Sequence, residues 1–353
     1  MARRVPDESD FRSRPGKRGS RPRTKQRPAH TEAVSALVTG VDRGRYTLLV
    51  DEGAPDERVV LAMKAREIGR TRVVCGDRVD VVGDVTGEDG SLGRIVRIQD
   101  RSAVLRRTAD DTDPYERIIV ANADQLVIVT ALAEPEPRTR MIDRCVVAAY
   151  DAGMDVLLCL TKADLADPAP LRELYEPLGV SVVVTHRVPD TTHPSGWGVA
   201  PLAAVRDQLE GRTSVLVGHS GVGKSTLVNA LVPDALRAVG VVNDVTGRGR
   251  HTSTSAVALR LRAEDGAPAG WVIDTPGVRS FGLAHVEVGH LLRAFDDLDE
   301  VAARCPRGCT HLDDAPDCAL DEWIEDSAKD VRDARAARLE SFRRLLTART
   351  AAA

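Results

Sequence analysis

Gly218-His219-Ser220-Gly221-Val222-Gly223-Lys224-Ser225-Thr226 brings glycines, one lysine and adjacent hydroxyls into a single run with the spacing G-x-x-x-x-G-K-[ST]. That spacing suits a loop that cradles phosphates. The glycines let the backbone curl until successive N–H groups converge, and a helix starting at the loop adds the partial positive charge of its N-terminus. Lys224 would reach the β- and γ-phosphates, and Ser225 would offer its hydroxyl to Mg2+, an ion that takes few protein ligands beside phosphate oxygens and waters. A glycine-rich turn that binds nothing is the competing reading. The apolar run 213–217 before the loop and the helical run 226–231 after it favour the phosphate loop.

Two further short motifs each end an apolar run. Asp274-Thr275-Pro276-Gly277 follows residues 271–273, where a carboxylate could make a second magnesium contact through water and the Gly277 N–H could sense a γ-phosphate. Thr161-Lys162-Ala163-Asp164 follows residues 155–160, at the strand end where open α/β sheets bind nucleotides. A carboxylate only accepts hydrogen bonds, and guanine offers N1–H and a 2-amino group side by side where adenine presents an acceptor. Asp164 therefore selects guanine. Lys162 would lay its stem against the base plane. Many GTPases carry Asn where Thr161 stands, and the missing amide is expected to weaken base affinity without changing base identity. A surface helix cap is the alternative reading of this tetrapeptide.

Cys305, Cys309, His311 and Cys318 offer three thiolates and an imidazole within one short stretch, the donor set of a closed tetrahedral Zn2+ site; with no position left for water, such a site is structural. A reduced, metal-free cluster is the competing reading. Cys75, Cys145 and Cys159 lie in or beside apolar runs and read as buried thiols.

The elements that must position these residues can be read from periodicity. Residues 33–41, 46–50, 58–63, 78–82 and 92–98 are short, valine-rich and alternating, separated by turn residues, and suggest a small OB-like β-barrel. Beyond residue 115, continuous runs at 125–130, 155–160, 180–184, 213–217 and 271–273 suit strands buried on both faces of a doubly wound parallel sheet. Helical stretches at 138–152 and 201–210 are closed by Gly153 and Gly211. Residues 321–349 read as one or two helices whose apolar stripe, Ile324 to Leu346, packs in a core. The expected fold is multi-domain α/β: a basic arm at 1–30, a barrel at 31–108, a P-loop domain at 109–283 and a helical zinc-binding tail at 284–353.

A chain of 353 residues exceeds what one core usually serves. With 42% hydrophobic and 29% charged residues its composition is that of a globular protein, and 3% aromatics argues against base stacking as a main binding mode. The net charge of -4 conceals an arm whose ten Lys/Arg face three Asp/Glu, read as disordered and suited either to RNA phosphates or to solubility alone. No apolar stretch is long enough to span a bilayer, so the expectation is a cytoplasmic monomer without membrane contact.

The motif order is informative. In ordinary GTPases the phosphate loop precedes the base motif, whereas here 161–164 comes before 218–226, which comes before 274–277: the order is circularly permuted. With the segment Gly247-Arg248-Gly249-Arg250-His251-Thr252-Ser253-Thr254 and the Cys/His cluster, the chain from residue 31 onward resembles the bacterial family of ribosome small subunit-dependent GTPases A (RsgA, also called YjeQ). The resemblance implies GTP hydrolysis to GDP, low alone and stimulated by the 30S subunit and its 16S rRNA, a role in late subunit maturation beside other assembly factors, and a zinc knuckle at the cluster. It also implies that His251 is the switch histidine: Val278 follows Gly277 where many GTPases place a water-orienting glutamine, so another group must serve. Thr254 or Thr252 would complete the magnesium shell. Two rivals stand beside this reading, an adenine-nucleotide enzyme on the same loop and a non-enzymatic RNA-binding assembly factor.

Overall fold

The structure is a computed structural model describing residues 30–108, 116–191, 196–233, 256–263, 265–275, 282–283, 286 and 288–350. Residues 1–29 of the expected basic arm lie outside the described residues. The architecture below belongs to the unit that begins at Glu32.

Five strands form the barrel: β1 (Val34–Asp42), β2 (Arg45–Val50), β3 (Arg58–Lys64), β4 (Arg78–Gly83) and β5 (Gly93–Ile98). β1 pairs antiparallel with both β2 and β4, β2 with β3 and β4 with β5, and β3 runs parallel to β5, so the ring closes. Alternate residues turn inward, and Val38, Leu48, Val60, Val79 and Ile95 are fully buried in its core. The expected OB-like barrel is present. A register shift between Val38 and Gly40 bends β1, which lets its far end also pair with a strand of the neighbouring sheet, Gly40 opposite Val257.

A ribbon of β6 (Val104–Arg107) and β7 (Arg117–Ala121), absent from the sequence reading, follows the barrel. It docks where the Ala121 N–H donates to the Cys75 carbonyl at 3.1 Å. Gly76, at φ 87°, has no room for a side chain here, since a Cβ would stand 2.1 Å from the Ala121 oxygen.

Next come β8 (Gln125–Ala131), β9 (Asp155–Thr161), β10 (Ser181–Val184), a separate ribbon of β11 (His186–Pro189) and β12 (Trp197–Ala200), then β13 (Arg212–Val217), β14 (Val257–Arg262) and β15 (Pro268–Asp274). The sheet runs β10-β9-β8-β13-β15-β14; all pairs are parallel except β14 against β15. Every residue of β8 is buried, as its continuous apolar run requires. On one face Leu126, Ile128, Leu158 and Val215 pack with Ile142, Cys145 and Val146 of helix α1 (Thr139–Asp151). On the other, Val127, Val129, Leu157 and Leu216 meet Val205 and Leu209 of α3 (Leu202–Leu209) and Leu227, Val228 and Leu231 of α4 (Lys224–Leu231). Helix α2 (Ala169–Tyr175) joins β9 to β10. The sheet is therefore doubly wound. Gly153 and Gly211 take φ of 69° and 70° beyond α1 and α3, as expected of residues that close helices.

Helices α5 (Val288–Arg293), α6 (Asp296–Ala302), α7 (Ala319–Glu325) and α8 (Lys329–Thr350) complete the chain. They share the core of the α1 face: Phe295 stands edge-on to both Tyr150 and Phe342, with ring centroids 5.4 Å apart in each pair. Leu339, Phe342, Leu345 and Leu346 of the expected stripe are buried, each worth roughly 1.5–3 kcal/mol. Val331 of the same stripe is 40% exposed, and Arg332, Asp333 and Ala334 beside it are exposed as well. Burial pushes the Cys75 and Cys159 thiols up to about 12 and raises Cys145 as well, consistent with inert core thiols.

Candidate functional site

The parallel strands end on one edge of the sheet, and three of those ends carry the candidate site residues. β13 leads into Gly218, whose missing Cβ would lie 2.6 Å from the Val129 carbonyl of β8, so the loop leaves the sheet at a point too tight for any other residue. Gly221 and Gly223 take φ of 84° and 94°, the left-handed turns that let the loop fold back before α4 starts at Lys224. Ser225 is exposed and Thr226 half-buried on the first turn of α4, while Val222 is buried against the sheet. Ser220 lies in the loop, and the His219 imidazole sits at its exposed rim with Nδ1 3.1 Å from the Ser220 carbonyl.

Asp274, opposite Leu216 in the register of β13 and β15, reaches the phosphate loop directly: Lys224 Nζ contacts its Oδ1. Thr275 is structural, its buried hydroxyl donating to the Leu216 carbonyl at 2.7 Å. The structure thus brings Lys224 and Asp274 into direct contact. Gly277, His251, Thr252 and Thr254 lie outside the described residues, as does Val278.

The end of β9 approaches the same loop. Thr161 Oγ1 donates to the Val222 carbonyl at 2.6 Å, with the Thr130 carbonyl at 3.3 Å, and its own carbonyl accepts the Leu132 N–H at 2.9 Å. Its hydroxyl therefore ties the base motif to the phosphate loop, a role that the sequence reading, which saw only a missing amide, did not find. Lys162, at φ 60°, sends its ammonium to the Glu134 carbonyl, in the loop after β8. The Ala163 N–H donates to the Thr185 carbonyl at 3.1 Å, which places the residues after β10 beside the base motif. Thr185 went unremarked in the sequence, although the run at 180–184 marks a strand whose end must fall on this edge. Asp164 is exposed, its carboxylate open to a ligand.

A second site lies in the C-terminal helices. Cys305 Sγ is 3.6 Å from His311 Nδ1 and 4.0 Å from Cys318 Sγ, and Cys318 Sγ is 3.9 Å from the same imidazole nitrogen. With Cys309, the four donor atoms all lie within 4.8 Å of one another. A tetrahedral zinc with ordinary bond lengths sets S···S near about 3.8 Å and S···N near about 3.6 Å, so the residues fit the ion. Burial, then Arg343, lowers the His311 pKa, which favours the neutral imidazole a metal needs. The cluster is held from outside: Arg343 of α8 donates to the His311 carbonyl at 2.9 Å and grips Asp321 through two bonds of 2.8 and 2.7 Å. Nothing in the spacing of the cluster pointed to Arg343.

A G-x-x-x-x-G-K-S loop after β13 and the Thr161–Asp164 motif after β9, on one edge of a doubly wound sheet and met in permuted order, place the chain in the class of circularly permuted GTPases. The profile of the RsgA GTPase family matches residues 98–284. A Gemmatimonas aurantiaca protein named small ribosomal subunit biogenesis GTPase RsgA is 32% identical over 301 residues, covering 84% of this chain and 92% of that protein. The protein of the same name from Pseudomonas syringae is 36% identical over 275 residues, 76% of each chain. The fold is similar to the crystal structures of YloQ, described as a circularly permuted GTPase (TM-score 0.59, 23% identity, covering 92% of this chain and 98% of that one), and of YjeQ from Thermotoga maritima (0.56, 25%, 89% and 99%). The chain belongs to the RsgA GTPase family.

Proposed function

We propose that the chain hydrolyses the terminal phosphoanhydride bond of GTP, giving GDP and phosphate, in the cytoplasm and as a monomer, and that it does so as a late maturation factor of the small ribosomal subunit. The observation that carries the nucleotide reading is the bond from Thr161 to the Val222 carbonyl, which joins the base motif to the phosphate loop at 2.6 Å. The curated relatives carry the subunit in their names. Contact with the 30S subunit would be made through its 16S rRNA.

Backbone amides of residues 218–226 would hold the phosphates, with Lys224 at the β- and γ-oxygens and Asp164 accepting from N1–H and the 2-amino group of guanine. Bound at Ser225, with Asp274 through water and Thr252 or Thr254 beside it, Mg2+ would neutralise charge developing on the phosphates. Water attacks the γ-phosphorus in line, the bond to the β–γ bridging oxygen breaks with its electron pair staying on GDP, and the water's oxygen and both its protons leave in dihydrogen phosphate, which passes a proton to solvent according to pH. His251 is the proposed water-orienting group, since valine at 278 can neither donate nor accept. The zinc site would fix the loop 305–318 against α8 and take no part in hydrolysis. Barrel (31–108), GTPase unit (109–283) and zinc-binding tail (284–353) divide the work in this reading.

Steady-state GTP hydrolysis with and without purified small subunits tests the proposal, with ATP as competitor against a labelled guanine nucleotide. The expected results are turnover stimulated by the subunit and no displacement by ATP. Turnover that ignores the subunit would remove the ribosomal assignment, and ATP displacing the label would remove the guanine one.

A further inference from the structure

Lys224 and Asp274 meet beside the phosphate loop, and the backbone of each is fixed by its neighbours. Asp274 is held on both sides, opposite Leu216 of β13 and opposite Val257 of β14, and the Thr275 hydroxyl on the Leu216 carbonyl secures the residue after it. Lys224 opens α4, where the Leu227 N–H closes the first turn on the Gly223 carbonyl at 2.9 Å. The contact between the ammonium and Oδ1 is thus made and broken by two side chains on rigid supports.

Those side chains are only 13% and 30% exposed, so water screens the pair less than it would on an open surface. Lys224 is the one lysine of the loop 218–226, and the contact engages its charge with a carboxylate of the same chain. A phosphate that approaches without a metal meets two costs. It must take the ammonium from Asp274, and its own negative charge then stands beside the carboxylate left behind. A phosphate that brings a divalent cation avoids both, because the carboxylate exchanges one positive partner for another. The Asp274 carboxylate and the hydroxyl of Ser225, next to Lys224, are the hard oxygen donors that Mg2+ takes, so the residues fit that ion.

We propose that Asp274, through its ion pair with Lys224, is a specificity-determining residue: it admits guanine nucleotide together with a divalent cation and holds off metal-free nucleotide and other free phosphate anions. The proposal rests on the nucleotide reading above and concerns what that site refuses. By linkage, the factor by which the cation tightens the nucleotide is also the factor by which the nucleotide tightens the cation.

Fluorescent GDP is titrated into the full chain, parent and Asp274→Asn, with Mg2+ and with EDTA. The parent should bind at least tenfold more weakly in EDTA. Asp274→Asn should tighten binding in EDTA at least threefold while weakening it in Mg2+, so that the two conditions converge; a residue that only coordinates the cation would leave the EDTA affinity unchanged. Simple repulsion between carboxylate and phosphate is separated by repeating the comparison in Lys224→Gln, where the gain should shrink because no ammonium remains to be released. In the chain without nucleotide, acetylation of Lys224 by acetic anhydride, read by mass spectrometry, should run at least twofold faster in Asp274→Asn, which decides the matter should Lys224→Gln bind GDP too weakly to titrate. No GDP binding by the parent in Mg2+ removes the nucleotide reading itself, and this proposal with it. With that binding present, an EDTA affinity unchanged or reduced in Asp274→Asn, a gain undiminished in Lys224→Gln, or an unchanged acetylation rate overturns the proposal and leaves the nucleotide reading standing.

Discussion

Replacing Thr161 with valine should weaken guanine nucleotide binding by about five- to 150-fold. The change is nearly isosteric, so it removes the hydroxyl without opening a cavity. The hydroxyl has one proton, and the geometry directs it at the Val222 carbonyl, 2.6 Å away, rather than at the Thr130 carbonyl at 3.3 Å. Both threonine and acceptor are buried, at 8% and 3% exposure, so no water replaces the lost partner. A buried carbonyl left unsatisfied costs about 1–3 kcal/mol, and about 1.4 kcal/mol is tenfold in affinity, which sets the range above. The loss should appear in binding more than in folding, because the bond links two loops while the strands beneath them keep their own ladders. Fluorescent GDP titration reads the affinity, and a thermal melt without nucleotide reads the fold. Thr161→Ser, which keeps the donor, should remain within a fewfold of the parent. If Thr161→Val and Thr161→Ser bind GDP equally well, the hydroxyl does not position the loop and the reasoning fails.

The zinc site predicts one ion per chain by elemental analysis, lost in Cys305→Ser or Cys318→Ser together with protease resistance of α7 and α8; structural zinc binding contributes about 10–16 kcal/mol, so a zinc-free chain that resists protease equally well would refute a structural role. Arg260→Met should cost about 1–3 kcal/mol in denaturant unfolding, since Arg260 makes two 2.7 Å bonds to Glu57 and lies 4.8 Å over the Trp271 ring, and a midpoint shift indistinguishable from zero would show that this junction carries no stability. Burial raises the Asp143 pKa, against the opposing pull of Arg344 and the Tyr175 hydroxyl. The folded chain therefore binds that proton more tightly than the unfolded one, and the stability it contributes is full below the ordinary aspartate range, about pH 4, and lost as pH rises through the raised value. Asp143→Asn has no such loss, so the melting temperature of the variant relative to the parent should climb with pH from about 4 upward; a difference that stays flat would contradict the sign.

Much of this architecture is legible in residue patterns, for reasons that particular elements make clear. The barrel strands fall within a residue or two of their expected bounds because a closed barrel imposes period two on every strand, with Val38, Leu48 and Ile95 inward. β8 and β9 were legible because burial on both faces demands continuous apolar runs. β14 was not: Val257, Leu259 and Leu261 alternate with Ala258, Arg260 and Arg262 over only six residues, and what fixes them as a strand is pairing with β15 and with β1. The β6–β7 ribbon consists of two strands of only four and five residues, too short for their apolar content to show a period, and it is held by Cys75 and Gly76, whose contact with Ala121 bridges distant sequence. In the site, loop glycines and metal ligands announce themselves by spacing. The bond of Thr161 to Val222 and the part of Arg343 do not, because each rests on a backbone carbonyl that only the fold brings near.

The permuted order costs the site nothing, because parallel strands deliver their C-terminal ends to one edge in whatever sequence the chain visits them. The base motif ends β9, the phosphate loop leaves β13 and Asp274 ends β15, with β8 between β9 and β13 closing the floor through Val129. What permutation does change is the company kept by the far side of the sheet. β14 and β15 lie between the phosphate loop and the barrel, and β1 pairs with β14 through Gly40 and Val257. Trp271 Nε1 donates to Glu52 at 2.8 Å, and Arg260 holds Glu57. Both carboxylates belong to the turn between β2 and β3. Among the described residues the strand that ends in Asp274 is therefore joined to the barrel by a continuous set of strand pairs and side-chain bonds, β15 to β14 and β14 to β1, reinforced by Trp271 on Glu52 and Arg260 on Glu57.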